Sequence, residues 1–190
     1  PGEYWATATL GNCEAQMNGI RTVSPLPTAY NITPSQGQWC SNDNIEIGLS
    51  DSDIGFTYQL HRIPFSSNPI ATVAGNGNAI IFGTYTEIGT YQVLAIDDAT
   101  GCEQWMNGEI QINDPPLPFN ITANGLVPQA GWNCPPVEIG LQLSETGVNY
   151  TLFQPDGTTT LAGTGAALFF GTYSTSGEYY VVATNPTTTC

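Results

Sequence analysis

Cys13, Cys102 and Cys190 stand 89 and 88 residues apart, and the words around them agree. Thr-Tyr-Gln-Val-Leu-Ala at 90–95 returns as Glu-Tyr-Tyr-Val-Val-Ala at 178–183, and both resemble Glu-Tyr-Trp-Ala-Thr-Ala at 3–8. Met17-Asn18-Gly19 recurs as Met106-Asn107-Gly108, Pro-Leu-Pro at 25–27 recurs at 116–118, and Asn31-Ile32-Thr33 recurs as Asn120-Ile121-Thr122. Ile45-Glu46-Ile47-Gly48-Leu49 matches Val137-Glu138-Ile139-Gly140-Leu141, and Phe82-Gly83-Thr84-Tyr85 matches Phe170-Gly171-Thr172-Tyr173. A period of this length means a tandem array in which each repeat is one folding unit. The chain is therefore two copies of one unit with a spare piece in front.

Within each unit, short runs rich in Val, Ile, Tyr, Phe and Thr are separated by Gly, Pro, Asn and Asp, the spacing of an all-β sandwich or barrel. In the first unit strands are expected near 29–33, 45–50, 55–62, 69–73, 78–82, 89–96 and 104–112. That count in a unit of this size suits two tandem immunoglobulin-like sandwiches. Alternation at Glu109-Ile110-Gln111-Ile112 marks a half-buried strand, whereas the apolar run at 91–96 marks a central one. Proline-dense links are extended and semi-rigid, which makes the stretches 24–27 and 114–118 the expected boundaries. The expected domains are an N-terminal strand extension over 1–24, a first domain over 25–114 and a second over 115–190.

The order of these words, Gly-Thr-Tyr-x-Val-x-Ala, Thr-Gly-Cys102, Met-Asn-Gly, Pro-Leu-Pro and then a Cys before Ile-Glu-Ile-Gly-Leu, resembles the tandem immunoglobulin-like repeats of secreted surface proteins and giant adhesins in Bacteroidetes-type bacteria. The resemblance covers essentially the whole chain. It implies an extracellular, non-enzymatic array used as a stalk, fibre or adhesin, and it carries over no catalytic residue.

Charge narrows the class further. The chain has no Lys, two Arg (Arg21, Arg62), sixteen acids and a formal net charge of -14. Nucleic-acid binding rests on Lys and Arg neutralising phosphates, so that class is excluded, as is docking on anionic membranes. No apolar run reaches the length of a membrane helix, so membrane insertion is not expected either. The first residue is Pro and no signal segment is visible, so the chain is read as processed or excised. Without Lys, the Lys-Asn isopeptide cross-links of some bacterial pilins cannot form, and covalent reinforcement falls to the Cys.

Five Cys fit an oxidising compartment. Pairing within each repeat joins Cys40 to Cys102 and Cys134 to Cys190 and leaves Cys13 over. Pairing in sequence joins Cys13 to Cys40 and Cys102 to Cys134 and leaves Cys190 over. Making each unit self-contained favours the first. No C-x-x-C occurs and one His cannot complete several sites, so zinc is not expected.

His61 has Phe153 as its counterpart and no nucleophile word accompanies it, so it reads as a cross-strand residue. Gly75-Asn76-Gly77 and its counterpart Gly163-Thr164-Gly165 read as turns, because a phosphate loop needs a following helix. Asn42-Asp43-Asn44, Asp51-Ser52-Asp53 and Asp97-Asp98 offer oxygen ligands for Ca²⁺. The second unit has Pro135-Pro136 and Asn185-Pro186 at the first and last of these places, so turn formation is the simpler role and no cofactor is expected. Trp39 and Trp132 lie beside Cys40 and Cys134 and are expected to pack on a disulfide, while Trp5 and Trp105 could form an aromatic platform for sugars. Asn31, Asn120 and Asn149 head Asn-x-Thr words, and with the Thr runs 158–160 and 187–189 they are candidate glycan carriers on a surface glycoprotein.

The strand count is unbalanced. Residues 2–10 duplicate the strand before each repeat Cys and residues 14–23 duplicate the strand after it, which the second unit lacks. A sandwich without its last strand exposes a groove and an unpaired edge. Head-to-tail strand addition would close it, with Tyr4, Ala6, Ala8, Met17, Ile20 and Val23 as the candidate assembly residues and copies of this chain as partners. Two other readings remain open: a window of one continuous giant repeat adhesin, and a carbohydrate-binding module of a secreted protein.

Overall fold

A computed structural model describes residues 1–35, 38–64, 68–127 and 134–190. Its contacts gather the chain into two compact units. The first comprises Pro1–Gly37, Ile45–Tyr85 and Gly89–Gln111, and the second comprises Gln38–Asn44, Thr86–Ile88 and Ile112–Cys190. Segments 38–44 and 86–88, assigned to the first domain from the sequence, thus group with the second unit.

Among the described residues the regular structure is all β-strand. Before the first sandwich come β1 (Gly2–Tyr4), β2 (Thr7–Leu10), β3 (Cys13–Gln16) and β4 (Arg21–Val23). They form a bent hairpin in which β1 pairs with β4 and β2 with β3, turning at Gly11-Asn12. All of residues 1–23 are exposed.

The first sandwich has two sheets. One runs β5 (Ile32–Thr33), β7 (Ile45–Leu49) and β10 (Ile80–Tyr85) in the order β5-β7-β10. The other is built from β8 (Phe56–Ile63), β9 (Ala71–Ala74), β11 (Gly89–Asp97), β12 (Glu103–Trp105) and β13 (Ile110–Asn113). With β6 (Gln38–Cys40) at its edge, its order is β6-β13-β11-β8-β9, and β12 also pairs with β11. The single strand expected over 104–112 is thus two strands, β12 and β13, parted at Gly108, whose φ of 82° no extended strand adopts. Inward positions alternate along β8 and β11, so Tyr58, Leu60, Tyr91, Val93 and Ala95 are buried with Ile47 and Leu49 of the facing sheet. Burial of Leu60, Val93, Ile47 and Leu49 contributes about 1.5–3 kcal/mol each.

The second sandwich repeats the plan with β14 (Ile121–Ala123), β15 (Val137–Leu141), β16 (Asn149–Gln154), β17 (Gly157–Ala162), β18 (Leu168–Tyr173) and β19 (Tyr180–Thr184). Its sheets run β14-β15-β18 and β17-β16-β19. One apolar cluster joins them, with Ile139, Leu141, Leu168 and Phe170 from the first sheet and Tyr150 and Leu152 from the second. Strand β6 pairs in the larger sheet of the first sandwich, although its segment 38–44 groups by contacts with the second unit, and Ser41 N donates to Asn113 O at 2.9 Å. With β6 set aside, in both sandwiches the first, second and fifth strands share one sheet and the third, fourth and sixth share the other, which is immunoglobulin-like topology.

Small polar devices recur at matching places and show the repeat at atomic scale. Ser52 Oγ donates to Asn78 O at 2.7 Å and accepts from Asn76 N at 3.1 Å, while Ser144 Oγ donates to Ala166 O at 2.6 Å and accepts from Thr164 N at 3.0 Å. Both serines are buried, and these bonds offset their desolvation. A Cβ at Gly75 would run into the carbonyl oxygen of Asp53, and one at Gly163 into that of Glu145, so the Gly-x-Gly words are close-approach turns.

Candidate functional site

The distinctive site is the edge of the sheet that carries the repeat cysteine. In the first unit β12 closes the upper part of that edge, with Leu94, Ala95 and Ile96 opposite Trp105, Gln104 and Glu103. The chain then plugs inward. Met106 N donates to Val93 O at 2.8 Å, and its side chain, 7% exposed, receives a hydrogen bond at Sδ from Tyr30 N at 3.4 Å. Asn107 is bound on both sides: its N donates to Tyr30 O at 2.8 Å, its O accepts from Ile32 N at 2.9 Å and its Nδ2 donates to Ala29 O at 3.0 Å. Strand β13 follows and buries Ile110 and Ile112. In the sequence, Met-Asn-Gly is only a repeat marker. Its role as a plug needed the long-range partners Ala29 and Tyr30 to be seen.

The second unit has the same strands up to β19. There the outward residues Tyr180 and Val182 are 55% and 42% exposed, and the inward Tyr179, Val181 and Ala183 are half-buried. Their counterparts Tyr91 and Val93 are 0% and 1% exposed. The ring pair is otherwise conserved, with Tyr85 and Tyr91 at 5.4 Å and 48° and Tyr173 and Tyr179 at 5.4 Å and 50°. Beside β19 opens a cleft of about 510 Å³ lined by Pro118, Phe119, Leu141, Tyr150, Val181 and Ala183 among others.

The N-terminal hairpin is the third copy of this region. Thr7, Ala8 and Thr9 lie opposite Gln16, Ala15 and Glu14, the register of β11 on β12 with a turn two residues shorter. Met17 N donates to Ala6 O at 2.8 Å, as Met106 N does to Val93 O. Tyr4, Ala6, Ala8, Met17, Ile20 and Val23 are all exposed, where Tyr91, Val93, Ala95, Met106 and Ile112 are buried.

The cysteines correct both expected pairings. Cys40 is joined to Cys190, with Cα atoms 5.5 Å apart, and Cys13, Cys102 and Cys134 are free thiols. The reason is spatial, since segment 38–44 groups with the second unit and brings Cys40 within bridging distance of Cys190. Trp39 is half-buried beside this bond, Cys190 Sγ lying 3.6 Å from its carbonyl oxygen. Trp132 falls outside the described residues.

The acidic clusters are engaged in turns and cross-strand bonds. Asp43 Oδ2 accepts from Cys40 N, Asp51 Oδ1 from Ser52 N, Asp53 Oδ1 from Tyr30 Oη at 2.8 Å, and Asp98 Oδ1 from Thr57 Oγ1. Asp97 Oδ1 accepts from the Ala99 and Thr100 amides, and the hydrogen bonds from Thr100 and Ala99 hold its carboxyl below the usual range. Tyr30 is pushed up to about 12, first by its hydrogen bond to Asp53. Among the described residues no group of three or more His, Cys, Asp or Glu side chains is arranged to hold a metal ion. His61 sits 3.3 Å from Gln59 Oε1 and edge-on to Trp105, while its counterpart Phe153 stacks on Tyr180. Trp5, between β1 and β2, and Trp105, in β12, are both exposed. Asn31 and Asn120 are exposed, the latter donating from Nδ2 to Gln142 Oε1, and Asn149 is half-buried at the start of β16.

No protein-family model and no curated protein matches the chain. Among solved structures it is similar to the human OSCAR ligand-binding domain, at 12% identity over 84% of this chain and 95% of that one, with a TM-score of 0.35. No helix among the described residues is long and apolar enough to cross a membrane.

Proposed function

We propose that the chain is a non-catalytic structural subunit of an extracellular bacterial fibre, a pilus-like filament or adhesin stalk, joined head to tail by β-strand addition. One observation carries the reading. Among the described residues, the edge that β12, Met106 and β13 close in the first unit is open along β19, and the chain displays a second, exposed copy of the closing element at residues 14–23. Acceptor and donor are different surfaces, so the contact is heterologous and propagates as a filament instead of closing as a dimer. The Cys40–Cys190 disulfide supports an oxidising compartment. With only Arg21 and Arg62 as basic residues, trypsin-like proteases have few places to cut, which suits a durable external fibre.

A second reading, one continuous array, is favoured by the hairpin's first arm. Strand donation needs only residues 14–23, yet residues 2–10 also repeat β11. Denaturing, reducing electrophoresis of native material separates the two. Strand exchange gives a discrete band of one small subunit, and very large species that survive reduction mean a continuous array. Deleting residues 1–23 leaves unassembled protein under strand exchange; filaments that persist after the deletion contradict it.

A further inference from the structure

We infer that the cleft beside β19 is a receptor for a Met-Asn-Gly plug, and that its occupant is Met17-Asn18-Gly19 of a second copy of this chain. The inference rests on the fibre reading and names the contact on which that fibre would depend. Each group that holds Met106 and Asn107 in the first unit has a counterpart in the second. Ala29, Tyr30 and Val93 correspond to Pro118, Phe119 and Val181, which help line the cleft, as do Leu141, Tyr150 and Ala183, the counterparts of Leu49, Tyr58 and Ala95. The anchoring carbonyls are likewise matched: Val93 O by Val181 O, Tyr30 O by Phe119 O, and Ala29 O by Pro118 O.

The occupant follows from the words and the register. The chain has two Met, and Met106 is already buried, so Met17, 44% exposed, is the other. Asn185 N donates to Cys190 O as Asp97 N does to Cys102 O, which places Cys190 where Cys102 stands. A donor entering after that point sets Glu14, Ala15 and Gln16 opposite Thr184, Ala183 and Val182, as Glu103, Gln104 and Trp105 stand opposite Ile96, Ala95 and Leu94. The exchange conserves backbone bonds, because Met17 N leaves Ala6 O for Val181 O. It gains the burial of Met17 and of the inward face of β19. This is the logic of a strand swap between copies.

The test uses the full chain below its assembly concentration and a synthetic peptide of residues 14–23. Binding is read by hydrogen exchange at Ile121, whose amide would donate to Asn18 O as Ile32 N donates to Asn107 O. The parent peptide is expected to slow Ile121 exchange, and a Met17→Asp peptide to bind roughly tenfold or more weakly. A parent peptide without effect, or one matched by the Met17→Asp peptide, overturns the plug. Sedimentation of the full chain reads the fibre separately. Peptide binding with no self-assembly at any concentration keeps the receptor and overturns the fibre. Assembly that is unchanged in the full-chain Met17→Asp variant keeps the fibre and overturns the plug.

Discussion

Strands β11 and β19 carry nearly the same sequence and pair with the same kind of neighbour on one side, yet the inward face of one is sealed and that of the other is half open. The difference lies in what covers the far edge. Where Met106, Ile110 and the β12 backbone are in place, Tyr91 and Val93 lose contact with solvent; where no described residue stands in their place, Val181 and Ala183 keep it. Burial in a sandwich is therefore set by the last strand as much as by a strand's own composition. An edge left in this state is a template for another chain.

The comparison is broken most severely at the plug. Met106→Ala should destabilise the first unit by about 2–5 kcal/mol, because it leaves a cavity against Val93 and Tyr30. Met17→Ala should change the stability of the unassembled chain by less than about 0.5 kcal/mol, since its side chain is exposed on the surface. Chemical denaturation of both variants checks this, and equal costs would deny that the two words occupy different states.

The two units should instead behave alike at their serine pins. Ser52→Ala and Ser144→Ala each remove a buried hydroxyl that binds two backbone groups, and each should cost about 1–3 kcal/mol. Thermal unfolding of both variants reads it, and a cost confined to one unit would mean that the repeat is not mechanically equivalent.

The smallest effect is alkaline. The hydrogen bond from the Tyr30 phenol to Asp53 pushes Tyr30 up from 10.0 to about 12. A raised folded value means that this stabilisation is complete below pH 10.0 and is lost as pH rises from there through about 12. Burial raises Tyr58, Tyr85 and Tyr91 in the same direction. Tyr30→Phe should flatten part of the alkaline loss in an unfolding series, and an unchanged pH slope would remove Tyr30 from the account.

Much of this was legible in the chain itself. Periodic words located the two sandwiches, and alternation at 109–112 and the apolar run at 91–96 marked a half-buried strand and a central one, because those signals are local. The disulfide was not legible: pairing by repeat assumed that Cys40 belongs wholly to the first unit, whereas segment 38–44 groups with the second. Nor was the break of 104–112 into β12 and β13, which turns on Gly108 and on Asn107 reaching Ala29 and Tyr30, dozens of residues upstream. The exposed Met17 was visible as a word, but its meaning came only from seeing its twin buried.

Imaging of the native fibre at side-chain resolution tests the central claim most directly. The account predicts an antiparallel strand along the outer edge of β19, contributed by another copy, with the side chain of Met17 between Phe119, Tyr150 and Val181. A fibre whose contacts leave that edge uncovered, or whose covering strand is the continuation of the same chain, would contradict it.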